Sequence, residues 1–188
     1  MKIRSLVALT GLTRITVAAI FALTFYALLL ANHFCAATAS AETRSVEQEQ
    51  AEKTAADHAL RDYNDAFGRG DLSAIGQHCN VPFVAFIYSS QGSQGVKVCA
   101  TISEIEAFYG GVQRPLREHG YSHSTVSELH VKLFDQTTAL ASGVFVRHKT
   151  DGSELETIGA TYLLLKTEGI WKIAVVFRHP PANGIRAD

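Results

Sequence analysis

The residues best able to do chemistry in this sequence are two histidines, His148 and His179, and a tyrosine, Tyr63. Histidine titrates near neutral pH and is the commonest general base, and a buried tyrosine hydroxyl is a hydrogen-bond donor. The face predicted to carry them holds no carboxylate, so proton abstraction would rest on histidine. With hydroxyl and apolar side chains of that face they form the candidate ligand site: Tyr63, Ser142, His148, Thr157, Thr161, Val175, Phe177 and His179.

The same histidines do not predict a metal centre. His148 and His179 lie in strands separated by a third strand, and at about 4.8 Å per strand they are roughly 10 Å apart. His123 and His148 are diagonal neighbours at about 7–8 Å, but no third ligand accompanies them, and metal sites usually have three protein ligands. We therefore expect no metal and no other cofactor.

Each candidate also has a purely structural interpretation. Tyr63 is compatible with a core aromatic residue whose hydroxyl bonds to a neighbour. His148 and His179 are compatible with half-solvated positions at the rim of a sheet. Arg147 and Glu156 face each other across two strands, and we expect them to form an ion pair and nothing more.

Three helices are predicted, over 47–67, 72–78 and 102–109. The first has alanine and aromatic residues at helical spacing. Asp71 caps the second. The capping box Thr101-Ile-Ser-Glu104 begins the third, which the pair Gly110-Gly111 and then Pro115 are expected to interrupt.

Strands are predicted over 81–88, 96–100, 121–134, 138–150, 153–166 and 170–179. The two-residue loop Asp151-Gly152 fixes one hairpin, in which Thr150 opposes Ser153. In the preceding hairpin, Leu133 is expected opposite Leu140.

The final hairpin decides which side chains share a face, because a slip of one residue moves every side chain to the other face. A three-residue loop over 167–169 is preferred, since a two-residue loop turns Lys172 and Arg178 toward the apolar face. The predicted core and pocket face is then rich in leucine and valine: Leu129, Val131, Leu133, Leu140, Val144, Val146, Leu163, Leu165, Trp171, Ile173, Val175 and Phe177.

The opposite face has small residues at its centre, around Ala141, Gly143, Ala160 and Tyr162, ringed by charge. Small side chains allow a second sheet to approach closely, so this outer face predicts a homodimer interface.

The order of elements resembles the nuclear-transport-factor-2-like superfamily, which includes ketosteroid isomerase, scytalone dehydratase, limonene epoxide hydrolase and polyketide-cyclase-like proteins. The resemblance covers about 51–180 and is carried by Tyr63-x-x-x-Phe67-x-x-Gly70-Asp71 and by Glu168-Gly169-Ile170-Trp171-Lys172-Ile173. It implies an α+β fold, in which a curved mixed or antiparallel sheet of about six strands wraps around three helices as a cone-shaped, cystatin-like roll. It also implies that homodimers are frequent.

The catalytic residues of these relatives are only partly matched. Tyr63 stands where ketosteroid isomerase has its oxyanion donor, but the segment matching its catalytic aspartate, Ala85-Phe86-Ile87-Tyr88, has no acid. Thr161 falls near the second aspartate. The acid–arginine–acid set of the epoxide hydrolase is absent from the predicted pocket face.

The amino-terminal segment predicts export. Three basic residues precede or enter an apolar run over 15–31, and the overlapping small-residue sites Ala37-Thr38-Ala39 and Ala39-Ser40-Ala41 follow. This order is typical of a signal peptide over 1–41, with a linker at 42–50, a domain at 51–181 and a tail at 182–188. The alternative is an uncleaved anchor, because the apolar run is just long enough to span a membrane.

Export would place Cys79 and Cys99 in an oxidising compartment, where a disulfide is possible, although the predicted hairpin sets them apart along a strand. The remaining chain has 14 basic and 18 acidic residues, because three of the 17 basic residues and none of the acidic ones lie in the leader. A mildly acidic body without a basic cluster argues against nucleic acid as a partner.

Three functions remain open. The first is an exported domain, secreted or periplasmic, that binds a small apolar or amphipathic molecule. The second is a cofactor-independent isomerase, dehydratase or hydrolase that uses His179 or His148 with Tyr63. The third is a dimerising accessory domain with a vestigial pocket. The absence of a carboxylate on the predicted pocket face favours the first and third.

Overall fold

The computed structural model describes residues 46–88 and 94–185, which form three helices and six strands. The helices are α1 (Val46–Arg69), α2 (Leu72–His78) and α3 (Ile102–Glu118), and the strands are β1 (Cys79–Tyr88), β2 (Gln94–Cys99), β3 (Tyr121–Leu133), β4 (Thr138–Lys149), β5 (Glu154–Thr167) and β6 (Ile170–His179). A short 3-10 helix, Pro181–Asn183, follows. The predicted signal peptide lies outside the described residues.

All six strands belong to one open sheet in the order β2-β1-β6-β5-β4-β3. Neighbouring strands are antiparallel except β1 and β6, which are parallel. The expected α+β fold, a mixed six-stranded sheet with three helices, is therefore confirmed. No helix among the described residues is long and apolar enough to cross a membrane.

The first two helices follow local sequence rules. Along α1 the buried side chains include Ala56, Leu60, Tyr63 and Phe67, which recur at helical spacing and face the sheet. The Asp71 carboxylate accepts a 3.0 Å hydrogen bond from the backbone N–H of Ala74, so it caps α2 as predicted.

The third helix is longer than predicted. It begins at the expected capping box, where the Thr101 hydroxyl accepts from the Glu104 N–H at 3.2 Å, but it continues through Gly110, Gly111 and Pro115. The predicted interruption is therefore wrong. Two interior glycines cost about 1 kcal/mol each and a proline about 3 kcal/mol. Burial of Ile105, Tyr109 and Gln113 against α1 and the sheet outweighs that cost.

Away from its turn, the hairpin of β4 and β5 has the predicted register, in which Arg147 pairs with Glu156 and Thr138 with Leu165. Close to the turn the prediction that Thr150 opposes Ser153 is wrong, because a bulge at Leu155 pairs His148 with Glu154 and the Lys149 N–H donates to the Ser153 carbonyl oxygen. In the preceding hairpin Leu133 pairs with Ala139 and not with Leu140, a difference of one position.

The final hairpin also differs from the prediction. Its loop is the two-residue Glu168-Gly169, and both residues have left-handed backbone angles, φ 53° and φ 82°. A bulge at Ala174 then shifts the pairing, because Leu164 pairs with Ile173 and Leu163 with Val175. The extra residue places Trp171 and Ile173 on the same face as Val176 and Arg178. The sequence-based choice between two regular registers did not include this arrangement.

The helices cover the face that was predicted to be the outer one. We call it the helix face; its side chains include Ala139, Ala141, Phe145, Ala160, Tyr162, Leu164 and Val176, all buried. Small side chains on these strands leave room for large ones from α1, such as Leu60 and Phe67. Of the predicted core strand residues, Trp171 and Ile173 are fully buried. Three residues of β3 are half-buried against the core on the helix face, opposite Ala139 and Ala141: Leu129, Val131 and Leu133. The remaining predicted core residues are half-buried or exposed on the opposite, open face. The predicted dimer surface around Ala141, Gly143, Ala160 and Tyr162 is therefore wrong, because these residues are in the interior.

Candidate functional site

A cavity of about 430 Å³ lies between the end of α3 and the helix face of β4, β5 and β6. Its walls are mainly apolar, with charged groups contributed by the three strands: Val112, Pro115, Leu116, His119, Arg147, Leu155, Glu156 and Arg178. Its volume is within the range of about 300–1,000 Å³ that is usual for small-molecule sites.

A smaller cavity of about 80 Å³ adjoins it, and Val112, Arg147 and Arg178 line both. This inner part is bounded by aromatic and aliphatic residues of α1, β1, α3 and the sheet: Tyr63, Phe67, Ala85, Phe86, Ile87, Phe108, Tyr109, Ile158, Ala160, Tyr162 and Val176. We call the two cavities together the pocket. It combines apolar walls with a small set of polar groups that converge near Arg147.

Two arginines and one glutamate supply the charge of the pocket. Arg147 has a side chain only 7% exposed, and its Nη1 donates a short hydrogen bond to Glu156 Oε1. Its guanidinium also lies over the rings of Phe67 and Tyr121, 5.5 and 5.9 Å from their centroids. Arg178 Nη2 is 3.7 Å from Glu156 Oε2. One carboxylate therefore faces two guanidinium groups.

Arg178 stays charged in this environment. Burial lowers the pKa of its guanidinium, and the nearby charge of Arg147 lowers it further, while Glu156 raises it. Arginine remains protonated at any ordinary pH, so two positive charges and one negative charge leave the group with a single excess positive charge.

Three buried tyrosines place hydroxyl groups in the pocket. The Tyr63 hydroxyl donates to the Tyr109 hydroxyl at 2.8 Å, so the Tyr109 hydroxyl hydrogen is left without an acceptor in the described part of the chain. The Tyr162 residue is only 5% exposed, and its hydroxyl has no hydrogen-bond partner within the described ranges. Burial raises the pKa of all three hydroxyls, and for Tyr162 the charges of Arg147 and Arg178 oppose that shift. All three are therefore protonated donors at neutral pH.

His119 lies at the edge of the pocket, just beyond α3. Its Nδ1 is 2.6 Å from the Pro115 carbonyl oxygen, which only accepts, so Nδ1 carries the proton. In neutral His119 this leaves Nε2 as an acceptor at the edge of the cavity.

Of the residues predicted to form the site, only Tyr63 lines the pocket. The other seven lie on strand positions of the open face, so they do not converge with Tyr63: Ser142, His148, Thr157, Thr161, Val175, Phe177 and His179. The cause is the inverted assignment of faces.

Ser142, Thr161 and His179 form one hydrogen-bonded chain that holds the carboxyl-terminal segment. His179 Nδ1 donates to the Pro180 carbonyl at 2.8 Å, so its Nε2 accepts from the Thr161 hydroxyl at 2.9 Å. Thr161 accepts from Ser142 at 2.8 Å, and Ser142 accepts from the backbone N–H of Ile185 at 3.0 Å. Every donor in this series of hydrogen bonds has an acceptor, so a structural role explains why these three polar side chains lie together.

The remaining predicted residues also have partners on the open face. His148 Nε2 lies 3.0 Å from the Thr125 hydroxyl, and the His148 ring stacks on His123 with centroids 4.9 Å apart. Thr157 donates to Glu154 at 2.7 Å, and Phe177 stacks on a strand neighbour, Phe86, at 4.6 Å. Neither His148 nor His179 is therefore placed to act on a molecule in the pocket.

Sequence reasoning missed Arg147, Glu156, Arg178, Tyr109 and Tyr162. It had found the pairing of Arg147 with Glu156 but treated it as a surface contact, and it had excluded Arg178 from the interior because burying a charge is costly. The signal for a site was the coincidence of two arginines and one glutamate with small residues on the same face.

The two cysteines are unbonded and buried, which answers the question that the sequence left open. Burial raises the pKa of the Cys79 thiol to about 12, with a further contribution from Cys99. Within 46–88 and 94–185 no group of three histidine, cysteine or acidic side chains is arranged to hold a metal ion.

Several solved structures share this fold. An NTF2-like protein with a cystatin-like fold from Novosphingobium aromaticivorans superposes with a TM-score of 0.56 at 13% identity, over 72% of this chain and 90% of that one. A putative scytalone dehydratase from the same species gives 0.51 at 12% identity, over 70% and 85% of the two chains. A ketosteroid isomerase-like protein from Erwinia carotovora gives 0.51 at 16% identity, over 68% and 94%. At these identities the similarity establishes the fold alone.

No curated protein matches the chain. A family model does match it, over residues 49–181, and the matched segment contains α1 from its first turn, all six strands and the pocket. The chain belongs to the family described as NTF2-like protein (DUF6841).

Proposed function

We propose that the body of this protein is a small-molecule-binding domain and that its ligand occupies the pocket between α3 and the helix face. The observation that supports this most directly is the cavity of about 430 Å³ with mainly apolar walls and a few converging polar groups. Binding sites for small molecules commonly have this composition, in which apolar walls supply affinity and a few polar groups fix orientation.

The charged group supports a binding role over a purely structural one. Removing arginine side chains from water costs several kcal/mol unless each is paired and hydrogen-bonded. Here the Arg147 side chain is 7% exposed and that of Arg178 is 32% exposed, so the cost falls mainly on Arg147, and both arginines share one carboxylate. The nearby Tyr162 hydroxyl is unpaired among the described residues. A stability role is better served by apolar residues of similar volume, so the retained polar groups favour a ligand.

We also propose that the domain is exported, because the segment over 1–41 has the order of a signal peptide. Mass spectrometry of the protein from its native host should show a mature chain that begins just after Ala39 or Ala41. Full-length protein in the membrane fraction would instead support the uncleaved anchor and contradict cleavage.

A fluorescent apolar probe, N-phenylnaphthylamine, together with its anionic analogue anilinonaphthalene sulfonate, tests the binding function. Val112 lines both parts of the pocket, so Val112→Trp should fill it and abolish binding of any probe that the wild type binds. Val98→Trp is the matched control, because Val98 is 56% exposed on the open face and should leave binding unchanged.

The binding function would be refuted if neither probe bound the folded wild type, or if Val112→Trp bound both probes as well as the wild type does. Circular dichroism of each variant establishes that it is folded before binding is compared.

A further inference from the structure

We propose that the ligand of the pocket is a monocarboxylic acid with an apolar or aromatic body, held through its carboxylate by Arg178 and Arg147. This inference rests on the proposed binding function and adds the chemical class of the ligand. Four observations support it: the charge balance of the pocket, the kind of polar groups that line it, the hydrogen-bond donors among them that have no acceptor in the described residues, and the apolar walls around them.

The charge balance requires one more negative charge. Among the residues that line the two cavities, Arg147 and Arg178 are positive, Glu156 is negative, and none of the others carries a fixed charge. A single anionic head group neutralises the excess. The Arg147 side chain is 7% exposed, whereas those of Arg178 and Glu156 are 32% and 38% exposed, so an incoming molecule can reach the group. A monoanion complements the excess positive charge better than a neutral molecule or a cation.

Apart from Glu156 and the Nε2 of neutral His119, the polar groups around this charge are donors. Arg147 uses one N–H on Glu156, and Arg178 makes no hydrogen bond to the described part of the chain, since its distance to Glu156 is 3.7 Å. Tyr162 and the Tyr63–Tyr109 pair each have a hydroxyl hydrogen without an acceptor in that same part. A head group that only accepts hydrogen bonds complements this set.

The arginines favour a carboxylate. A guanidinium presents parallel N–H groups in a plane, and a carboxylate accepts two of them side by side. The carboxylate carries one charge, which matches the excess charge of the pocket, whereas a phosphate monoester carries up to two near neutral pH.

The apolar walls specify the rest of the ligand. Val112, Leu116 and Leu155 line the larger cavity, and Phe67 and Phe108 bound the inner one. A molecule with its carboxylate at Arg178 therefore places an aliphatic or aromatic body against these walls, where burial of apolar surface adds affinity.

Glu156 acts as an internal competitor in this arrangement. Its carboxylate engages both guanidinium groups, at Oε1 and Oε2 respectively. Removing its charge should free both arginines for the ligand and leave an excess of two positive charges. The prediction for Glu156→Gln is therefore tighter anion binding, a gain that a merely structural residue would not produce.

The same two probes test the inference, because they share an aromatic body and differ in one sulfonate, a monoanion. At pH 8, wild-type protein should bind anilinonaphthalene sulfonate at least about tenfold more tightly than neutral N-phenylnaphthylamine. Decanoate should displace the bound sulfonate probe, and decanol should not at the same concentration.

Variants test whether the preference for the anionic probe depends on the Arg178 guanidinium. Arg178→Gln should weaken the sulfonate probe about tenfold or more and leave the neutral probe within twofold of wild type. Arg114→Gln is the matched control, since Arg114 is exposed on the same helix that bounds the pocket but does not line it, and it should change neither affinity. Glu156→Gln should strengthen the sulfonate probe severalfold.

The outcomes separate the two proposals. Equal affinities for the two probes, equal effects of Arg178→Gln on both, or decanol displacing as well as decanoate would overturn the carboxylate assignment while leaving a binding pocket in place. Binding that survives Val112→Trp would overturn the binding function itself. Displacement by decyl phosphate but not by decanoate would replace the carboxylate with a phosphate ester and refute the inference as stated.

Discussion

The hydrogen bond between Tyr63 and Tyr109 gives a quantitative test of the packing in the pocket. The hydroxyl oxygens are 2.8 Å apart and both residues are buried, Tyr63 at 5% and Tyr109 at 3% exposure. Tyr63→Phe should lower the free energy of unfolding by about 1–3 kcal/mol, because the Tyr109 hydroxyl stays buried without its partner. Tyr109→Phe should cost a similar amount for the reciprocal reason.

The double variant should cost no more than either single variant. Replacing both hydroxyls removes the bond and both unsatisfied groups at once, and an apolar pair of the same shape is nearly neutral. The coupling energy should therefore be about 1–3 kcal/mol. Urea unfolding followed by circular dichroism measures it, and each kcal/mol should also appear as about 2–4 °C in Tm.

A matched pair controls for the loss of tyrosine hydroxyls in general. The Tyr121 hydroxyl bonds to Ser124 at 2.8 Å and not to Tyr63, so Tyr63→Phe and Tyr121→Phe should be additive within about 0.5 kcal/mol. Additive costs for Tyr63 and Tyr109 would show that the two hydroxyls do not depend on each other, and would refute the reasoning.

Three further predictions concern the rest of the body. A Cβ at Gly159 would lie 2.4 Å from His179 Nδ1 and 2.8 Å from the Pro180 carbonyl oxygen, so Gly159→Ala should release the carboxyl-terminal segment. Proteolysis beyond residue 180 should then be faster than in wild type, and equal rates would contradict the contact. Burial raises the pKa of the Cys79 thiol to about 12 in the folded protein, whereas in the unfolded chain the pKa has its ordinary value of about 9. Above pH 9 the unfolded chain therefore binds fewer protons than the folded one. The free energy of unfolding should then fall by up to about 1.4 kcal/mol per pH unit. Cys79→Ala should reduce the slope between pH 9 and 10, and an unchanged slope would contradict this assignment. We propose that the predicted homodimer forms through the open face, where Val98 and Phe177 are 56% and 38% exposed. Val98→Glu should yield monomers in sedimentation experiments. A wild-type protein that is already monomeric at micromolar concentration would refute the proposal.

Local rules were sufficient for most of the elements. The helical spacing of apolar residues, the caps at Asp71 and Thr101 and the loop at Asp151-Gly152 each act over a few residues, and the structure has the corresponding elements. The burial of Tyr63 could be predicted for the same reason, because the buried stripe of α1 follows from its own spacing. The α+β fold could be inferred from the order of these elements together with the family resemblance.

The location of the site was decided by the tertiary structure. Side chains alternate between the two faces of a strand, so the whole list of site residues depends on one choice of face. Both faces of β4 to β6 contain apolar side chains, and the bulge at Ala174 changes the parity within β6. The helices pack on the face with small residues because their own large side chains need the space, and this complementarity between distant segments is invisible to a local pattern. The same packing buries Arg147, leaves the Arg178 side chain 32% exposed, and brings Glu156 beside both from the strand between them.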